Sequence, residues 1–441
     1  SSVGYETRIE SAVRAFRNHA GQAETRKTDP GRINPVKSHT MIDQTIVLPN
    51  WDPITCPLLI ANMRREGIDA RLITETPDAI KRSMRLNSGQ CIPINVMVQE
   101  FVEHVRENNL DPAETALWMG HSEVPCNIRL YPYKLKQMLS SFGGGMEKAS
   151  VYTGNIAFTD LSMRAAMNTY FAFMFGGLLR RMGCRTRPYE KIPGRTDQAI
   201  ASGIRILEEA FSGSREKESA VIETVSLFER IETEPGSRPK AAIFGDLYAR
   251  DNPVFNQDLI GFIEACGGEA LTTPYTDYAK MIAPAYFKKW FTEGKVFSML
   301  VNRGLLATMV HREKTYYRHF EKILQEPEPQ YDVAPEQILS EFGMVPENTG
   351  ESMDNILKIY YIRRHHPDVS LFVQTSPAFC CPSLITEAMA NTIEAKTGVP
   401  VVSITYDGTG GDKNRKIIPY LKYARGGIGA HAFDRAEPAS F

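Results

Sequence analysis

The chain has 441 residues, with 51 basic against 52 acidic and a formal net charge of −1. That balance offers no basic face for nucleic acid or for an anionic membrane surface. No apolar run reaches the roughly 18 residues that span a bilayer, so neither a nucleic-acid nor a membrane partner is expected.

Taken in chain order, residues 1–41 are polar and read as an N-terminal arm. Its opening stretch, SSVGYETRIESAVRAF, is charged and lacks a signal-peptide pattern, which makes a cytoplasmic setting the expectation. A first α/β unit is expected over 42–157. There QTIVLPNW, IDARLIT, TALWMG and KASVYTG read as strands, and CPLLIANMRREG, NVMVQEFVEHVREN and KLKQMLSSFGGG as the helices between them. Residues 158–237 read as a helical region, whose apolar stretch TYFAFMFGGLL stops at Arg180-Arg181. A second α/β unit with a helical insertion is expected over 238–425, and a tail over 426–441. In the second unit KAAIFGDLYA, EALTTPY, SLFVQTSPAF and VPVVSITYDG are the strands, and NQDLIGFIEACGG and CCPSLITEAMANTIEAKTG are helices. The insertion covers 277–325, and the polar EPEPQYDVAPEQ connects it onward. Strands alternating with helices of this size argue for α/β architecture with parallel sheets in two halves.

Seven cysteines, at 56, 91, 126, 184, 266, 380 and 381, form an odd, sparse set that is not a disulfide framework. Cys56, Cys91, Cys126, Cys380 and Cys381 each fall at the start of a helix. Loops at the carboxyl ends of parallel strands converge on one crevice, and a helix start favours thiolate. Thiolates gathered there would make a soft-ligand site for an iron–sulfur cluster or zinc. The competing reading is a small buried hydrophobe. It is preferred for Cys184 and Cys266, which end apolar helices, and it weighs on Cys56. For Cys91, Cys126 and Cys380 both readings stay open, because spacings of 35 and 254 positions match no compact metal motif.

Three other features are weaker. TYDGTGGDKN at 405–414 is glycine-rich after a strand but lacks the P-loop pattern, so a plain loop is preferred to a phosphate cradle. HREKTYYRHF at 311–320 and RRHHP at 363–367 read as solvated, stacked surface. With Arg129 and Arg250 they are also candidate receivers for an anionic substrate.

SGQCIP at 88–93, VPCNIRLYPYKLKQML at 124–139, RPYEKIPGRTD at 187–197, GDLYARDNP at 245–253 and FCCPSLITEAM…GVPVVSITYDGTG follow one another in order. Together they resemble the 2-hydroxyacyl-CoA dehydratase / benzoyl-CoA reductase superfamily. The likeness is nearest to the C-terminal portion of long acyl-CoA dehydratase activase-related proteins, over about residues 42–425. The resemblance implies two flavodoxin-like halves with a [4Fe–4S] cluster in the crevice between them, ligated by Cys91, Cys126 and Cys380. Cys381 stands where the dehydratases carry Asp, and Cys381 and Cys56 are further candidate ligands. The implied activity is that of an oxygen-sensitive lyase or oxidoreductase component. It would take low-potential electrons from an ATP-dependent activase for radical dehydration or reduction, with an acyl-CoA as substrate and a related subunit in a homo- or heterodimer. Two alternatives are a double-cubane [8Fe–9S] reductase of small molecules, which would also recruit Cys184 or Cys266, and a non-catalytic scaffold that docks the activase. Val124-Pro125-Cys126-Asn127 departs from the usual Gly-Pro-Cys-Arg, a change beside a ligand that alters hydrogen bonding to sulfur.

Overall fold

The computed structural model describes residues 43–86, 89–121, 126–345 and 350–423, with Val13 and Arg17 besides. Apart from those two residues the expected arm lies outside the described residues, as do the tail from 426 onward, Ser88 of SGQCIP and the Val124-Pro125 pair before Cys126. Residues 1–35 group as a separate unit, and residues 36–441 form the unit that holds both sheets.

The first half runs β1 (Thr45–Leu48), α1 (Thr55–Arg65), β2 (Asp69–Leu72), α2 (Pro77–Ser83), α3 (Pro93–Glu107), β3 (Thr115–His121), α4 (Tyr131–Ser140) and β4 (Ser150–Asn155). Its strands are all parallel, in the order β2-β1-β3-β4. Short apolar runs such as Ile46–Leu48 suit a sheet covered on both faces, and these three residues are fully buried. Local signals set the helix starts: the Thr76 hydroxyl accepts from the Ala79 N–H, and Pro77 opens α2.

Three helices follow, α5 (Met163–Thr186), α6 (Arg195–Ser212) and α7 (Lys217–Glu229). The second half then runs β5 (Lys240–Gly245), α8 (Leu247–Arg250), α9 (Leu259–Ala265), β6 (Glu269–Leu271), α10 (Tyr275–Thr292), α11 (Val296–Leu324), α12 (Pro335–Glu341), α13 (Glu351–His365), β7 (Val369–Pro377), α14 (Cys381–Ala388), α15 (Ala390–Thr397), β8 (Val401–Tyr406) and α16 (Ile418–Tyr423). Its sheet is also parallel, in the order β6-β5-β7-β8. The molecule is therefore α/β with two parallel four-stranded sheets, and the same strand order serves both. Among the described residues no helix is long and apolar enough to cross a membrane. The single helix expected after Cys380 divides at Met389, and α13 is a helix that no sequence expectation covered.

Helix α5 packs against both halves. Gly176 meets the Thr55 side chain on α1, and a Cβ on Gly177 would lie 2.7 Å from Cα of Pro274, just before α10. Arg180 and Arg181, which end the apolar run in the sequence, are only 5% exposed. Arg180 pairs with Asp52, whose carboxylate also accepts from the Ile54 and Thr55 N–H groups at the start of α1. Its other arm faces Asp251 at 3.5 Å, and Asp251 pairs with Arg250 at 2.5 Å. The row Asp52–Arg180–Asp251–Arg250 thus joins the loop after β1, α5 and the end of α8 inside the protein. Removing one member leaves buried charge uncompensated. Arg180→Met is expected to lower stability by about 3–5 kcal/mol in urea unfolding, and adding Asp52→Asn to recover part of the loss.

Candidate functional site

The carboxyl ends of the strands lead into the loops that carry the cysteines. Cys91 lies two residues before α3, and the next residue, Ile92, donates its N–H to the Ala378 carbonyl at 3.2 Å. That bond stitches the first half to the loop after β7. Cys126 caps a 3₁₀ turn, Asn127–Leu130, that feeds α4. Cys380 caps α14. Phe379 before it takes the left-handed conformation, φ 67°, and the residue is 64% exposed. For a bulky residue that conformation costs about 1–2 kcal/mol. After this turn Cys380 is buried and Cys381 exposed.

A cavity of about 90 Å³ draws its walls from both halves and is lined by Cys91, Cys126, Trp51, Trp118, Tyr131 and Asp246 among others. Trp51 and Trp118 stack with ring centroids 5.7 Å apart. Cys380 hydrogen-bonds with Cys91 behind this wall, and its S–H faces Oδ2 of Asp246 at 3.9 Å. The Tyr131 hydroxyl hydrogen-bonds Cys91, and Asn127 Nδ2 donates to Sγ of Cys381 at 3.6 Å. Cys91, Cys126 and Cys380 therefore gather at one place, with Cys381 at its edge.

Cys56 is not brought there. It is fully buried in α1 and turns its thiol toward the Pro49 carbonyl at 3.8 Å. Cys184 is buried in α5, whereas Cys266, expected in the core, is only partly covered. Arg250 is committed elsewhere: fully buried, paired with Asp251, and placed over the Tyr275 ring at 4.3 Å. Arg129 is exposed. The loop over 405–414 closes on itself, with Asp407 accepting from the Thr409 N–H and hydroxyl and from Lys413. On α11 Tyr317 and Phe320 are buried, while Arg318 and His319 pair with Glu218. Only part of that stretch is solvated surface.

The helix starts do not lower the Cys91 and Cys56 thiols as the sequence suggested. Cys91 is pushed well above its ordinary value by the hydrogen bond with Cys380, by burial and by the Asp246 charge. Cys56 rises through burial and then Asp52. Losing water outweighs the few N–H dipoles of a helix start. A thiol held protonated in this way gives up its proton on ligating a cation. Asp246 stands beside Cys380; burial lifts its carboxyl to about 6 even though the Tyr248 and Ala249 N–H groups donate to it.

Sequence reasoning missed Asp246, Tyr131, the tryptophan pair and Glu75. Asp246 had a signal, an Asp directly after a strand and before LYAR, which is a helix cap. Glu75 had none. It is buried against the back of Tyr248, a cavity-wall residue whose hydroxyl donates to it at 3.1 Å. Asn252 donates to its other oxygen. Glu100, also buried, is pushed well above the carboxylate range by burial and then by the charge of Glu75.

Among the described residues no three His, Cys, Asp or Glu side chains form a ready site for a metal ion. No family model matches the chain, and no curated protein matches it.

Burial pushes Glu75 up to about 7 from an ordinary 4.5. A raised acid binds more protons folded than unfolded, so its contribution is complete below pH 4.5 and is lost as pH climbs through about 7. Glu75→Gln removes that dependence. Urea unfolding near pH 5 and near pH 8 should show the variant gaining on the wild type by about 2–3 kcal/mol toward the higher pH. A pH-independent difference would contradict the assignment.

Proposed function

We propose that this chain is a cytoplasmic iron–sulfur redox component of the 2-hydroxyacyl-CoA dehydratase / benzoyl-CoA reductase type, served by an ATP-dependent activase. The observation that carries this reading is that Cys91 and Cys126 line one cavity walled by both halves, with Cys380 of the second half hydrogen-bonded to Cys91. They are the cysteines of the SGQCIP, VPCNIR and FCCP motifs. The shared strand order suits two flavodoxin-like halves with the ligands beyond the carboxyl ends of their strands.

Three soft thiol donors fit a [4Fe–4S] group held by Cys91, Cys126 and Cys380, which when bound supplies one-electron chemistry at low potential. The remaining roles belong to the surrounding side chains. Asp246 accepts the Cys380 proton as that thiol becomes a ligand. The Tyr131 hydroxyl donates to the Cys91 sulfur and steadies its negative charge. Asn127 donates to Cys381, which sits at the edge of the site, where it tunes the environment without ligating. The stacked indoles and the largely apolar wall exclude water, which strengthens each of these hydrogen bonds.

The double-cubane alternative needs six cysteines. Cys56 and Cys184 are enclosed in α1 and α5 with other neighbours, which favours the single cubane.

Protein purified without oxygen is expected to carry about four irons and as many acid-labile sulfides per chain. Cys91→Ala, Cys126→Ala and Cys380→Ala should each lose the colour, while Cys56→Ala and Cys266→Ala keep it. About eight irons would move the assignment to the double cubane. An iron-free protein would remove the redox reading.

A further inference from the structure

The segment between β6 and β7 turns at a bare tip. Helices α10 and α11 are joined by the short turn 293–295, where Gly294 takes the left-handed conformation, φ 76°, with open space around it. Every residue from Phe291 to Ser298 is exposed, Phe291 by 63% and Phe297 by 81%. Val296, Leu300 and Val301 are exposed as well, and with Phe297 they recur at the spacing of one helix face over the first turns of α11. Met299 among them is buried, so the helix is packed down on one side while its apolar stripe faces outward. Lone exposed apolar side chains are ordinary, but a stripe of them calls for a partner.

Charge is the second observation. The whole chain is nearly balanced, which is why no membrane partner is expected from it, yet residues 284–304 hold four Lys or Arg against one Glu. Lys288 precedes Phe291 by three positions and Arg303 follows Leu300 by three, the spacing of neighbours on a helix surface. Lys288 pairs with Glu336 of α12 at 2.9 Å and Lys295 with Glu293 at 2.8 Å. Both lysines stay exposed, in surface pairs of the kind that bind weakly.

These features select the partner. A two-fold contact with a second copy would set the same positive excess face to face. The arm over 1–41, with seven Lys or Arg against four Asp or Glu, has the same sign and is no complement either. A protein partner must bring a groove shaped to a convex tip, whereas a lipid surface yields to one. Apolar side chains ringed by basic ones suit the boundary between headgroups and acyl chains, and anionic headgroups meet the charge.

We infer that the α10–α11 tip docks the protein on an anionic phospholipid bilayer, with Phe291, Phe297 and Leu300 entering the headgroup boundary and the basic side chains around them facing the lipid phosphates. The contact is peripheral, since neither helix is long and apolar enough to cross. None of these residues lines the cysteine cavity, so the inference stands apart from the function proposed above.

The test is flotation of the full chain with vesicles of phosphatidylcholine alone and of equal parts phosphatidylcholine and phosphatidylserine. Binding should appear on the mixed vesicles, be roughly tenfold weaker on phosphatidylcholine alone, and fall as salt is raised. Phe297→Asp should weaken binding to the mixed vesicles by roughly tenfold, and Lys289→Glu combined with Arg303→Glu should do the same. Ile222→Ser, which removes an exposed apolar side chain from α7, should change nothing. Depth is read separately by tryptophan. The chain has three, and Trp51 and Trp118 are buried, so quenching by lipid brominated on its acyl chains reports Trp290, which adjoins Phe291. Quenching is expected in the wild type and should vanish in Trp290→Phe while flotation persists. Absence of flotation with mixed vesicles, full binding by Phe297→Asp, or binding without quenching would overturn the inference. So would self-association, in place of vesicle binding, that Phe297→Asp abolishes in sedimentation velocity, which makes the tip a contact between copies.

Discussion

The architecture hangs on a row of buried charge. Asp52, Arg180, Asp251 and Arg250 come from a loop of the first half, the connecting helix and the end of a short helix of the second half, and none reaches solvent appreciably. Each charge alone would be intolerable in that setting, and the alternation of sign makes the set acceptable only when all its carriers are in place. Greasy contacts tolerate sliding, whereas such a row does not. It therefore fixes how the end of β1 sits relative to the start of the second sheet's loops. The cavity walls are built from those same regions, Trp51 next to Asp52 and Tyr248 close before Arg250, so the spacing of the wall is inherited from the ion row.

Around the cysteines the same physics runs in the opposite direction. Burial there raises the Cys91 thiol and the carboxyls of Asp246 and Glu75 instead of stabilising charge. The region is poor in cations and rich in groups that would rather be neutral. The protein thus keeps its fixed charges paired at one place and carboxyls of raised proton affinity at another, a few residues away along the same loops.

Much of the frame was legible from residues alone. Short apolar runs with turn residues between them located all eight strands among the described residues. The cysteines worth attention were also visible, because each sits where a loop enters a helix. Legibility failed where a side chain's environment depends on distant segments. Arg180 and Arg181 looked like the polar end of an apolar stretch, since nothing nearby in sequence announces Asp52, Asp251 or Glu326 as partners. Arg250 looked available for an anion until its neighbour Asp251 and Tyr275 took it. The acidity of Cys91 was misjudged because helix position is local, while desolvation and the thiol opposite it are supplied by the other half. Helix α13, with Asp354 and Lys358 buried as a pair one turn apart, lacks the clear apolar stripe that marks an amphipathic helix.

The distance along the chain between the paired parts of the site has a consequence in time. Asn127 and Cys381, which touch, are separated by 254 positions, and Ile92 is bonded to Ala378. A chain emerging from its N-terminus can close its first sheet and present Cys91 and Cys126 long before β7 and the turn at Phe379 exist. Until that turn arrives the pocket is a half-open bowl. The last strands to be made are also the ones that shut it, so enclosure of the thiols is a late event in the life of each new molecule, and whatever is to be housed between the halves has its natural moment of entry before then.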